Sequence, residues 1–493
     1  MMTIAALCEG IVTLPKSVSP DLTVSSLASD SRKITRGGLF AAIEGFRNDG
    51  HRFAAQAVDK GASVLMVEKE VAESRVPVLR VKDCRYALAM MAHRFYGSPS
   101  DKLCLVGVTG TNGKTTVAFL VESILKSSGC RTGLISTIEY RWDGISRPAE
   151  RTTPDIIEMT AMLAQMAQDG ITHVVMEVSS HALALHRVSA LKYQVAIFTN
   201  LSHEHLDFHH DMEAYADAKS RLFDLLKKDG TGLINIEDHY SGTMCRAAGD
   251  RAKTYGRRKD AGFYISGIRH GRGKTTFNIT YNHRSRTFST PLWGDFNIMN
   301  TAAAAAAGII LGMELSSVQA GINRVKHVRG RMEGFDAPQG FRVVIDYAHT
   351  PDALANVLAA CRRMTRKRVI CLFGCGGDRD RAKRPEMGRV ASGHADVLVV
   401  TSDNPRSEDP ERIIDEILAG MSRRESLYVI PDRRNAIEKA LEIARAGDLV
   451  LIAGKGHETY QIIGQNRNHF DDREQAEMIL GIHNGDTVHA DAG

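Results

Sequence analysis

Residues 107–116 read GVTGTNGKTT, between the apolar run LCLVGV at 103–108 and the helix-patterned VAFLVESILKSSG. A strand, a glycine-rich turn, a lysine with paired threonines and then a helix leave few folds open. Glycines let backbone N–H groups close around phosphate oxygens, the helix N-terminus adds positive potential, and the lysine ammonium reaches the terminal phosphates. Gly110, Thr111, Asn112, Gly113, Lys114, Thr115 and Thr116 are the expected triphosphate cradle, with a threonine hydroxyl available to magnesium (Mg2+). The chain is therefore expected to bind ATP or GTP. The strict pattern GxxxxGK[ST] asks for Gly at 108, where this chain has Val, and Gly107 lies one place early. The loop is a variant of the plain form.

The same alternation continues. HVVMEV at 173–178 and VAIFTN at 195–200 are strand-like with helical patterns between, and TAAAAAAGIILG at 301–312 reads as a packed helix. From about 332 the runs FRVVIDY, RVICLFG, DVLVVTS, LYVIP and DLVLIAG repeat the rhythm, each with a loop and a helical pattern after it. An α/β chain of 493 residues with mostly parallel sheets divides into about three domains, each large enough for its own core. We expect a small N-terminal α/β domain (1–98), a central phosphate-loop domain (99–331) and a C-terminal Rossmann-like domain (332–493). YGSPSDK at 96–102 reads as the first linker and RGRMEG as a hinge near 330–334.

Charge narrows the partners. A net +5 is small against 63 basic and 58 acidic side chains, which points to anionic small molecules and away from nucleic acid. RRMTRKR at 362–368 reads as a solvated helix end. MMTIAALCEG lacks a basic n-region and no apolar run could span a bilayer, so a cytoplasmic protein is expected, with no membrane partner. The eight scattered cysteines read as buried, reduced thiols.

Three further stretches carry chemistry. Glu177 ends a strand, where a carboxylate can meet magnesium. NLSHEHLDFHH at 200–210 gathers His203, His205, His209 and His210, but without HExxH spacing it is a weak zinc motif. SDNPRSEDP at 402–410 follows the strand DVLVV and places Asp403, Asn404, Pro405 and Arg406 at a carboxyl strand end, where ligands of open parallel sheets collect.

Together these motifs resemble those of the Mur ligases, ATP-dependent amide-forming enzymes of bacterial cell-wall precursor synthesis. TGTNGKTT, EVSSHAL, TNLSHEHLDFH, GDFNIMN at 294–300 and DYAHTPDAL at 346–354 occur in the family's order over essentially the whole chain. Within it, SDSR at 29–32, ERTTPD at 150–155, FGCGGDRD at 373–380, DNPR and AGKGHE at 453–458 are similar to the member that extends UDP-N-acetylmuramoyl-L-alanyl-D-glutamate by a third amino acid. DNPR is the variant associated with meso-2,6-diaminopimelate.

The resemblance implies site residues. Lys114, Glu177, His205 and Lys219 would be catalytic, with Thr115, Thr116, Glu177, His205 and Lys219 at magnesium and Lys219 carrying a carbamate formed from carbon dioxide. Composition alone makes Lys219 an exposed helix lysine. Asn297, Asn300, Arg331, Asp346 and His349 would complete the ATP site, although the two asparagines also suit helix capping. Ser31, Thr152, Thr153, Ser179 and Arg187 would touch the UDP-muramoyl dipeptide; Arg379, Asp403, Asn404, Pro405, Arg406, Gly454 and Glu458 would surround diaminopimelate. Arg406 is the expected grip on its distal carboxylate, since a guanidinium binds carboxylate bidentately, while its bland reading is a surface ion pair. A monomer is expected. The rivals are an L-lysine-adding ligase, a folylpolyglutamate synthase, and a nucleotide-switched binding protein that forms no amide.

Overall fold

The computed structural model describes residues 1–482 apart from 47, 73–74, 272 and 423–424; residues 483–493 of the expected C-terminal domain lie outside the described residues. Three larger sheets follow one another along the chain, with two-stranded pairs at Met2–Thr3/Thr23–Val24 and Tyr460–Ile463/Asn466–His469 besides, among the described residues. Leu27–Ala28, Gly38–Ala41, Ala62–Val67 and Val78–Arg80 form a four-stranded parallel sheet. Residues 132–290 and the phosphate-loop strand Cys104–Thr109 build the central sheet, in which Thr132–Ile135, His173–Glu177, Cys104–Thr109, Tyr193–Phe198 and Leu226–Asn235 lie parallel in that spatial order. Antiparallel hairpins extend both edges, Glu139–Trp142 with Ile145–Pro148 on one side and Phe263–Gly271, Lys274–Tyr281 and Arg284–Thr290 on the other. The third sheet pairs Arg342–Asp346, Leu449–Ala453, Val369–Phe373, Val397–Val400 and Leu427–Val429 in parallel, with Glu333–Asp336 antiparallel at one edge.

The structure departs from the sequence reading in four places. Leu449–Ala453 is followed by the hairpin Tyr460–Ile463/Asn466–His469 before the helix Asp472–Leu480; strands of four residues, the second wholly polar, are too short to leave a periodic signal. The linker at 96–102 contains a helical turn, Pro99–Lys102, with Pro99 and Ser100 buried. The N-terminal segment does not keep a wholly separate core. Leu88 and Met91 of helix Cys84–Phe95 belong to the same buried cluster as Met159, Met162 and Leu163 of helix Ile156–Gln168, so burial of these apolar faces ties the first segment to the central one. Cys104, Cys130 and Cys245 are only half-buried, although all eight cysteines are free thiols.

Val108 has a simple explanation. It is fully buried in the strand Cys104–Thr109, paired with Glu177 on one side and Ile197 on the other. The strand runs on through the position where the plain motif has its first glycine. Among the described residues no helix is long and apolar enough to cross a membrane.

Candidate active site

The phosphate loop is held open by contacts that only glycine permits. Gly110 (φ +147°) and Gly113 (φ +85°) have positive φ; a Cβ on the first would collide with the Thr199 hydroxyl, and on the second with Oδ1 of Asn300. Helix Lys114–Ser127 starts directly after Gly113. Lys114 Nζ donates to the carbonyls of Gly110 (2.9 Å) and Thr111 (2.7 Å). Burial lowers its pKa, and Arg331 adds to this while Glu177 and Glu204 oppose it.

Lys219 donates to the same Gly110 carbonyl at 2.8 Å, with its ammonium 4.6 Å from the Tyr215 ring centroid. It is 1% exposed, so the exposed-lysine reading is wrong. Its helix, Met212–Asp224, is capped by Asp211 and buries Tyr215, Ala218, Lys219, Leu222 and Phe223 on one stripe. That stripe was visible at helical spacing, and Lys219 sits within it. Burial, and then the charge of Lys114, hold its pKa well below the ordinary lysine range.

Glu177 is fully buried at its strand end and accepts from Thr137 N (2.8 Å) and Thr137 Oγ1 (3.0 Å). His205 has φ +58° and its ring lies 4.7 Å from that of His181; burial pushes its pKa down to about 4. His209 stacks instead on Tyr215. Thr115 Oγ1 accepts from Arg331 at 3.2 Å, a contact reaching from the segment preceding the third sheet to the phosphate-loop helix. Asn112 Nδ2 likewise donates to Asp352 at 3.1 Å.

A cavity of about 510 Å³ is lined by Thr111–Thr116, Glu177, Glu204, His205, Asn300, Arg331, Asp346 and His349, with Phe296, Met299 and Val357 supplying an apolar wall; Lys219 and His209 are not on its lining. Asn297 is buried behind it and donates to the Trp293 carbonyl, while Asn300 donates to Asn297. Neither caps the helix Asp295–Ile310, whose N-cap is Gly294 without a side-chain bond. Asp346 accepts from the N–H groups of Met332 and Ala348, and burial raises its pKa.

A second cavity, about 610 Å³, adjoins the first and shares Thr137, Thr152, Glu204, His205, Tyr347 and His349 with it. Arg379, Asp403, Asn404, Arg406, Gly454 and Glu458 line its far end. Arg406 Nη1 donates to the Gly377 carbonyl (2.7 Å), and burial together with the neighbouring Arg406 charge lowers the pKa of Arg379. Among the described residues neither guanidinium is in an ion pair, so the surface-pair reading of Arg406 does not hold. Arg379 is exposed and Arg406 half-buried, and two cations without an ion-pair partner facing one cavity make an anion site. Pro405 stays behind the wall, its carbonyl packed against Gly377.

Thr153 Oγ1 donates to the Glu177 carbonyl (2.9 Å) and accepts from Ser179 N (3.0 Å), and Arg187 donates to Thr153 O (3.3 Å). This trio packs beside Thr152 without lining either cavity. Ser31 lies apart, bonded to Gln56 in the N-terminal segment. Sequence reasoning missed Glu204, whose carboxylate is 3.2 Å from His349 and 3.7 Å from His205. It also missed Thr137 and the hairpin residues Tyr460 and Arg467. The position of Glu204 between His203 and His205 was the available signal.

Comparison with known proteins agrees with this geometry. Residues 23–96 match the Mur ligase family catalytic domain, 108–308 the Mur ligase middle domain and 330–456 the Mur ligase glutamate ligase domain. The chain is 46% identical over 465 residues, 94% of each chain, to the UDP-N-acetylmuramoyl-L-alanyl-D-glutamate–2,6-diaminopimelate ligase of Gloeobacter violaceus. It is 42% identical to the protein of that name from Syntrophomonas wolfei, with 93% of this chain and 95% of that one covered. A solved structure titled as the same ligase superposes with a TM-score of 0.70 at 32% identity, over 97% of this chain and 99% of that one. The Thermotoga maritima MurF ligase solved with ADP shares the fold at 18% identity and TM-score 0.63, over 94% and 98% of the two chains. The chain belongs to the Mur ligase family.

Proposed function

We propose that this chain is an ATP-dependent amide ligase joining meso-2,6-diaminopimelate to UDP-N-acetylmuramoyl-L-alanyl-D-glutamate in peptidoglycan precursor synthesis. The observation that carries it is the unpaired pair Arg379 and Arg406, in a cavity continuous with the phosphate-loop cavity. Two substrates bound in them would meet at the shared wall.

ATP occupies the first cavity, its phosphates against residues 111–116 and its base against Phe296 and Met299. The D-glutamyl carboxylate attacks the γ-phosphate, giving an acyl phosphate and ADP; the diaminopimelate amine then attacks the acyl carbon and phosphate leaves. Lys114 screens the converging anions, since carboxylate and phosphates cannot meet in line without cations. Arg406, seconded by Arg379, holds the distal carboxylate, and Asp403 and Glu458 face the distal ammonium. Thr152 faces both cavities and suits the acceptor peptide, while Thr153, Ser179 and Arg187 support it from behind.

The donor set also fits magnesium. A buried carboxylate at Glu177, His205 with its pKa lowered, the Thr115 and Thr116 hydroxyls, and Lys219, whose depressed pKa favours the free amine that reacts with carbon dioxide to a carbamate, would hold it. Magnesium supplies charge neutralisation at the phosphates. Both cavities are completed by one chain, which supports action as a monomer, and the use of ATP supports a cytoplasmic setting.

The experiment is ADP release with ATP, magnesium and the UDP-muramoyl dipeptide, comparing meso-diaminopimelate with L-lysine and weighing the product by mass spectrometry. A strong preference for diaminopimelate is expected. Lysine preference would remove the role given to Arg406, and no amide with either would leave only a nucleotide-binding protein.

A further inference from the structure

We propose that Lys455, which lines neither cavity, is a positioning residue that sets the donor and acceptor polarity of the amino-acid pocket through Asn404 and Glu458. The inference rests on the functional reading above and extends it to the origin of selectivity.

Lys455 follows the strand Leu449–Ala453 and is fully buried. Its Nζ lies 3.2 Å from Asn404 Oδ1 and 3.2 Å from Glu458 Oε2, and 5.5 Å from the Tyr460 ring centroid. Asn404 Oδ1 also accepts from the Ile462 backbone N–H at 2.9 Å, while Asn404 Nδ2 donates to Glu458 Oε2 at 2.8 Å. These four contacts admit one amide orientation. Turning the amide over would set an NH2 group against an ammonium and a backbone N–H, leaving buried donors without acceptors.

The consequence lies in what remains. One Nδ2–H is used by Glu458, and the other has no partner among the described residues on a side chain that lines the cavity. Glu458 Oε1 has no partner among the described residues, its other oxygen being shared by Lys455 and Asn404. The pocket thus presents N–H donors (Asn404, Arg379, Arg406) beside carboxylate acceptors (Glu458, Asp403), which matches a zwitterionic end group. Without the Lys455 charge the amide is held only by Ile462 and Glu458, and Glu458 loses its counter-charge. Both changes favour a bare ammonium over a zwitterion.

The test uses the full chain with ATP, magnesium and UDP-muramoyl dipeptide, comparing wild type with Lys455→Met, which keeps the apolar stem. We expect KM for meso-diaminopimelate to rise about 10-fold with kcat within about 3-fold and KM for ATP unchanged, and the kcat/KM ratio of diaminopimelate to L-lysine to fall about 10-fold. In an Asn404→Ala background the same substitution should lower that ratio less than in wild type, since only the route through Glu458 remains. Equal losses on both amino acids, an unaltered ratio, or additive effects in the double variant overturn the proposal. If Lys455→Met fails to fold, Asn404→Asp decides: it retains the acceptors for Lys455 and Ile462, removes the Nδ2 donors and sets a second carboxylate beside Glu458, so an unchanged ratio overturns the proposal and a lowered one supports it. Wild type that makes no product from diaminopimelate overturns the functional reading itself, whereas wild type that prefers it while the variants keep the ratio overturns only this inference.

Discussion

The two cavities are built differently. The first depends on a contiguous strand, loop and helix, residues 104–127, so its chief cation and its backbone donors come from one short stretch. The second is assembled from loops after three strands, bringing residues 376–379, 403–406 and 454–458 together and closing them with the hairpin Tyr460–Ile463/Asn466–His469. Arg406 N donates to Ile462 O (3.1 Å) and Gly464 N to Arg406 O (2.7 Å), which fixes Arg406 at φ +52°. A local motif suffices for a phosphate, which every nucleotide carries; a ligand with two charges at its far end requires groups from distant parts of the chain.

Removing the central cation should cost most. Lys114→Ala is expected to lower ADP formation about 10³-fold with either amino acid, measured by coupled ADP release; retention of activity would break the assignment of the first cavity. Lys219→Ala should cost about 10²-fold, and bicarbonate should stimulate carbonate-depleted wild type but not this variant. Arg406→Ala should act on the second cavity alone, lowering kcat/KM for meso-diaminopimelate about 10²-fold while leaving KM for ATP unchanged. An equal effect on L-lysine would erase the distinction between the cavities.

The smallest effect concerns support of the second cavity. Arg384 is fully buried and paired with Glu408 and Glu416, and its hydrogen bonds hold the Glu408 carboxyl down at about 2. A carboxyl depressed in the folded state stabilises the fold above its unfolded pKa and loses that contribution as pH falls through the folded value. The stabilisation should therefore be whole above about pH 4.5 and vanish towards about pH 2. Glu408→Gln should lower Tm by about 2–4 °C at pH 7 and flatten its acid dependence, read by thermal unfolding.

Legibility tracked distance along the chain. The loop at 110–116, the strand ends and the body of the alanine-rich helix from 301 were readable because turn chemistry and apolar period act over a few residues, whereas its start at Asp295 was not. The resemblance then supplied Arg379, Glu458 and Lys219, which no local pattern identifies. The hairpin after 459 was not legible, because Asn466–His469 is exposed throughout and carries no apolar alternation. Glu204 was hidden among histidines, and its importance rests on His349, some 145 residues away.

By itself the sequence determined an α/β chain with parallel sheets, a variant phosphate loop and a short basic-and-acidic loop at a strand end, since each follows from periodicity, glycine placement and charge within one stretch. Only the tertiary structure decided that Lys114 and Lys219 share one carbonyl, that the N-terminal and central segments share a core, and that Arg379 and Arg406 face one cavity beside the phosphate cavity without an ion pair among the described residues. Burial and the distance between charges set those properties, and both are fixed by which distant segments pack together.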